Sequence, residues 1–232
     1  MCRSYNLCMK NMESRSKKKT LNSNATTYSL ADFFEFGSRN YLTTFYAQFP
    51  EYENFGKLSQ QELDRLRLTR HKLSRGEYEG IEFPVVFREH PHDSGKRFRD
   101  VLDNRTIDGY LISDRMKRIL EENNVTGWKT YPIVMSDKRG NEIKGYHGFS
   151  VTGRCGGEFQ LLYDKKSTRY GAEGYEGASI DLEQWDGSEI FKIGGKYWRS
   201  IIIITKRVYK LFKEYKIDAV KMESLPEFFH FE

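Results

Sequence analysis

The sequence predicts an α+β fold with α/β-like layers: two pseudo-repeated strand–helix–strand units on mixed or antiparallel sheet, joined to a mixed N-terminal part. Three observations predict it. A shift of 92 residues lays 111–129 on 203–221 with the hydrophobic pattern kept. A capping box opens an amphipathic helix near residue 60. Short aromatic and β-branched runs, bounded by Gly, Pro, Asn and Asp, recur along the rest of the chain.

In chain order, residues 1–27 form a polar tail without apolar periodicity, expected to be disordered. Residues 28–106 make the N-terminal part and 107–232 the C-terminal one, with the seam in the polar connection after a strand at 83–87. The run Tyr41-Leu42-Thr43-Thr44-Phe45-Tyr46 has strand composition, and Pro50 ends it. Ser59 followed by Glu62 is the capping box, and Leu58 and Leu63 stand at staple positions. Leu63, Leu66 and Leu73 continue the apolar stripe to a stop at Gly76, which gives a helix over 60–74. Its charged face reads as a solvent side.

Each repeat copy has the same grammar. An apolar strand runs into Ser113 or Thr205, either of which can cap the next helix. The buried stripes are then Met116, Ile119, Leu120 and Val208, Leu211, Phe212. A second strand begins near Val125 or Ile217. Arg115 aligns with Arg207 and Gly127 with Ala219, although only four of the 19 aligned positions are identical. Strand–helix–strand is common enough that chance agreement is the alternative to duplication. Between the copies, 136–141 is a hairpin turn joining strands at 129–135 and 142–152. The glycine-rich stretch 153–178 reads as a long loop, followed by short strands around Ile180 and Ile190 and a longer one over 197–204.

Thirty-four aromatic residues exclude a wholly disordered chain, and no run is long and apolar enough to span a membrane. The net charge of +5 resides entirely in residues 1–27, so the body carries no bias toward nucleic acid or membrane. A tail of this kind could touch phosphates or act as a localisation signal; a solvated terminus is the simpler reading. Three cysteines, with no apolar leader in the first 20 residues, point to a reducing, cytoplasmic setting.

Catalytic chemistry has few footholds. His90 and His92 beside Asp93 supply metal-ligand types, but no third histidine-rich element completes a site, and a polar loop explains them as well. Cys155 next to Arg154 could be an activated thiolate with His147 as base; a small buried thiol at a strand end is the plainer reading. The glycines match neither phosphate-binding pattern, so no nucleotide or other cofactor is expected. In 185–191, Asp186-Gly187 fits a turn, with Trp185 and Phe191 anchoring it in the core or facing a partner.

Three segments carry a family resemblance. They are Leu111–Lys117 through Val125–Trp128 and Tyr131-Pro132; Val151–Gly156 followed by Trp185–Phe191; and Ile203–Val208 through Ile217. In this order and spacing, over 107–226, the chain resembles the bacterial polymorphic-toxin immunity proteins typified by a myxobacterial immunity domain. The resemblance does not extend to the N-terminal 106 residues. Some such proteins carry paired C-x-x-C-G motifs; this chain lacks them, so a metal-stabilised version is not implied. The resemblance implies a non-enzymatic intracellular protein that binds a cognate toxin domain and blocks it sterically. Loops and aromatic anchors make Arg154, Tyr170, Tyr175, Trp185, Asp186 and Glu189 the contact candidates. The rivals are a small hydrolase using Cys155 or a metal at His90 and His92, and a basic-tailed nucleic-acid binder.

Overall fold

In the computed structural model of the chain, the structure describes residues 28–38, 44–92, 95–104, 109–169, 171–194, 201–218 and 220–230. The basic tail, Tyr41–Thr43, Asp93, Tyr170 and residues 195–200 therefore lie outside the described residues. The fold is α+β, with more strand than helix.

The first part of the chain forms β1 (Phe33–Ser38), β2 (Ala47–Gln48), helix α1 (Gln60–Arg75), β3 (Val85–Glu89) and β4 (Val101–Asp103). Next come β5 (Tyr110–Ser113), helix α2 (Asp114–Glu122), β6 (Trp128–Tyr131), β7 (Ile133–Ser136), β8 (Glu142–Ile143) and β9 (Tyr146–Val151). Strands β10 (Gly153–Cys155), β11 (Gln160–Arg169), β12 (Ala172–Ser179) and β13 (Ile190–Ile193) follow. The chain then forms β14 (Ile202–Thr205), helix α3 (Lys206–Glu214), β15 (Val220–Ser224) and β16 (Phe229–His230).

Among the described residues the strands form four sheets: β10-β13-β14-β1-β15, β4-β5-β9-β6, β2-β3-β7-β8 and β11-β12-β16. Three of them mix strands from both sides of the seam expected near 106. Strand β1 itself lies between β14 and β15, antiparallel to both. The N-terminal part is thus woven into the C-terminal one.

The repeat is structural. The 92-residue shift carries β5 onto β14 and α2 onto α3 at both ends, and it carries β6 onto the first four residues of β15. In each unit the two strands flanking the helix are split by an antiparallel strand from elsewhere, β9 in the first and β1 in the second. The registers correspond: Ser113 faces Tyr146 where Thr205 faces Phe33, and Trp128 faces Val151 where Val220 faces Ser38. Both helices leave through a left-handed residue, Asn124 and Lys216, each at φ 51°. The helix stripes Met116, Ile119, Leu120 and Val208, Leu211, Phe212 enter one core with Ile112, Phe149, Ile204 and Phe36.

Where the units meet, their contacts are reciprocal, as across a two-fold dimer interface. The Arg115 guanidinium pairs with Asp100 and donates to the Tyr215 carbonyl at the end of α3. Arg207 pairs with Glu189 and donates to the Asn123 carbonyl at the end of α2. Completing the exchange, the Asp218 N–H donates to Asp100 at 3.0 Å and the Thr126 N–H to Glu189 at 3.2 Å. Arginine at a helix C-terminus also meets unpaired carbonyls at the negative end of the helix dipole. One detail differs between copies. Ser113 caps α2 by accepting the Met116 N–H at 3.1 Å, whereas Thr205 makes no side-chain cap and its hydroxyl is buried unpaired.

The predicted helix is present as α1. Ser59 accepts the Glu62 N–H, the Glu62 carboxylate receives the Ser59 N–H at 2.8 Å, and Gly76 ends the helix in the left-handed conformation. Several strand expectations need correction. The described part of 41–46 holds only a bridge at Thr44, and the strand is β2, further on. The strand placed at 83–87 lies at 85–89. The single strand at 129–135 breaks at Pro132, which has no N–H to donate. Its halves join different sheets, β6 with β9 and β7 with β3. Ile180 is buried but outside any strand.

The largest correction is 153–178. It is not a loop but β10 and the long antiparallel hairpin β11–β12. Its glycines mark close backbone approach rather than irregularity. At Gly174 a Cβ would stand 2.4 Å from the His230 carbonyl oxygen of the neighbouring β16.

Candidate functional site

The resembling segments converge on one place. Gly127 presents its carbonyl to the N–H groups of Thr152 (2.8 Å) and Gly153 (3.0 Å), and Thr126 accepts the Ile190 N–H at 3.1 Å. The Arg154 N–H donates to Asp186 at 2.7 Å, Cys155 bridges to Trp185, and β10 runs parallel to β13. Segments distant in sequence thus knit together around the joint between the two units.

That placement decides what the candidate contact residues do. Trp185 is 4% exposed, edge-on to Tyr28 and Phe33 and close to Phe191, with its indole N–H on the Ser188 carbonyl at 2.9 Å. It is a core anchor and presents no ring to a partner, which corrects its placement among contact residues. Asp186 is exposed but closes its turn, accepting the Ser188 N–H at 2.9 Å. Glu189 is held by Arg207 and Thr126 as part of the inter-unit joint. The Arg154 guanidinium donates to the Val151, Gly153 and Arg75 carbonyls, tying β10 to the end of α1. Burial, with Arg75 adding like charge, holds it below the ordinary arginine value. Tyr170 lies outside the described residues. Of the five that are described, Tyr175 alone belongs to an aromatic surface cluster.

That cluster sits on the hairpin. The Tyr163 ring lies 5.1 Å from Tyr175 and 5.0 Å from His230, and Tyr163 is 56% exposed. The His230 Nε2 lies 2.9 Å from the Leu162 carbonyl oxygen, joining β16 to β11. Behind it, Glu176 takes Lys165, Ser167 (2.8 Å) and Arg169 (2.9 Å), which hold its carboxyl down to about 2. Arg169 also reaches Glu223, and Lys221 lies 3.0 Å from Glu223 and 3.4 Å from Glu35. Burial raises the Glu35 carboxyl despite Lys221. The hairpin is therefore riveted to the five-stranded sheet by charge. Sequence reading missed it because β11 is mostly polar and shows no clean alternation.

The enzymatic candidates are placed as follows. The Cys155 thiol is 1% exposed and donates to the Asp181 carbonyl at 3.2 Å. His147 pairs with Asp114 at 2.6 Å. The His90 and His92 rings are 6.3 Å apart, with the His92 N–H directed to the His90 Nδ1 at 3.4 Å. Among the described residues no three or more His, Cys, Asp or Glu side chains gather as metal ligands. Among them, too, no helix is long and apolar enough to cross a membrane.

A second exposed feature went unnoticed in the sequence. Val86 on β3 and Val134 on β7 are register neighbours in a parallel pair, and both are well exposed. Beside them a cavity of about 440 Å³ opens between α1 and the start of β3. No family model matches this chain, and no curated protein is similar to it.

Proposed function

We propose that this chain is an immunity-type binding protein that occupies the surface of a cognate toxin domain and blocks it. The reading rests on the resemblance, and one observation supports treating its three segments as a unit: residues up to 100 positions apart bond to each other at the joint between the two strand–helix–strand units. A rigid, doubly braced core of this kind suits a protein that presents a preformed surface, because little conformational entropy is then lost on association. The deeply buried Cys155 thiol fits action in a reducing cytoplasm. The experiment is co-expression with the toxin domain encoded next to the gene. Restored growth and a co-purifying stoichiometric complex are expected; continued arrest with no complex overturns the proposal.

A further inference from the structure

We propose that the toxin-contacting surface is the slot between α1 and β3, and that it receives a lysine or arginine whose apolar stem lies along the slot. The inference rests on the proposed function and names the site and the partner chemistry. Apolar side chains of Phe49, Leu66, Ile81, Pro84 and Val86 line the slot, which has a volume of about 440 Å³. Three of the seven exposed large hydrophobic side chains among the described residues stand at or beside it: Phe83 at 37%, Val86 at 46% and Val134 at 39%. Clustered exposed apolar side chains next to a cavity, rimmed by charge, match the anatomy of a recognition surface.

Charge selects the occupant. Glu51 and Glu82 line the slot, and neither carboxylate makes a hydrogen bond or ion pair with another described residue. Among the described lining residues Arg65, on the α1 wall, is the one cation, so carboxylates are in excess there. The neighbouring charges are already closed on each other, Arg88 on Glu53 at 3.9 Å and Lys138 on Glu89 at 3.6 Å. An apolar trough ending in free carboxylates fits a side chain with a hydrocarbon stem and a cationic head. The hairpin surface differs, because Lys165 and Arg169 there are already satisfied by Glu176.

The test measures binding of the full chain to the toxin domain encoded beside its gene. The Glu51→Lys/Glu82→Lys double variant should weaken binding about thirtyfold or more, through like-charge contact. Val86→Lys should cost about tenfold as a separate probe of the trough. Glu82 and Val86 are exposed and Glu51 is half-buried, and an unchanged thermal transition checks the fold. Tyr163→Ala and Lys166→Glu, on the hairpin, should stay within about twofold. Slot variants that bind like the wild type, or a loss confined to the hairpin variants, overturn the slot assignment and leave the immunity reading standing. A wild-type chain that binds no toxin domain overturns both.

Discussion

The reciprocal arginines give the sharpest test of the duplicated core. Consider Arg115→Met, which keeps the apolar stem and removes the head. Asp100, whose side chain is 9% exposed, retains the Ser113 hydroxyl at 2.8 Å and the Asp218 N–H at 3.0 Å but loses its counter-ion. The Tyr215 carbonyl loses its donor as well. Breaking a fully buried pair costs about 3–5 kcal/mol and an exposed one about 0–1. With Arg115 at 45% exposure, the solvent-screened cost falls between, at about 2 kcal/mol. Arg207 is 55% exposed and its partner Glu189 is 17%, so Arg207→Met should cost less, about 1 kcal/mol. Urea titrations followed by tryptophan fluorescence read both values. At this chain size the larger loss corresponds to a fall in Tm of about 4–8 °C. Lys117→Met removes an i,i+4 pair on the α2 surface, at 3.8 Å from Glu121, and serves as control at under about 0.5 kcal/mol. An Arg115 loss no larger than the control's, or a costlier Arg207 change, refutes the claim that these contacts join the units.

Three further outcomes follow from single sites. Because Glu176 is held down to about 2, its stabilising bonds are fully present above the ordinary carboxylate range and are lost as pH falls toward 2. Hydrogen-exchange protection of the β11–β12 amides should therefore drop on acidification, and Glu176→Gln should abolish that dependence while lowering protection at neutral pH. At Gly127, φ is +89° and a Cβ would stand 2.0 Å from the Ile190 carbonyl oxygen. Gly127→Ala should cost about 2–4 kcal/mol in chemical denaturation, through left-handed backbone strain and displacement of β13. In a Cys2→Ser/Cys8→Ser background, the buried Cys155 thiol should resist a thiol reagent until the protein unfolds; rapid native-state labelling would revive the nucleophile reading.

What the sequence made legible was local or repeated. Helix α1 could be placed within a residue because Ser59, Glu62 and Gly76 act on their own turn of chain. The two units were legible because each helix exposes a single apolar stripe to a shared core, and that stripe survives when identities do not. The strands inserted into each unit were hidden. Nothing in Phe33–Ser38 says that it will lie between β14 and β15, some 170–190 residues away, because pairing is decided by which apolar edges meet after collapse. The hairpin was hidden for a different reason: its glycines suggested irregular chain, yet Gly174 is where β16 packs too closely for a side chain.

The same division explains why the contact candidates were misplaced. Trp185, Glu189 and Arg154 stand out in sequence because they belong to distinctive motifs, and distinctive motifs here are the residues that hold two similar halves together. A surface for a partner needs side chains that the fold leaves unspent, and these give little local signal. Val85-Val86-Phe87 reads as one buried run, but strand alternation sends Val85 and Phe87 inward and leaves Val86 in solvent. The parallel pairing with β7 then sets Val134 beside it. Glu51 and Glu82 flank the same slot only because the turn after Phe49 and the segment before Pro84 are brought together across α1. On the proposed function, specificity for one toxin would reside in these few exposed positions, so exchanging them for those of another immunity protein should redirect binding without disturbing the core.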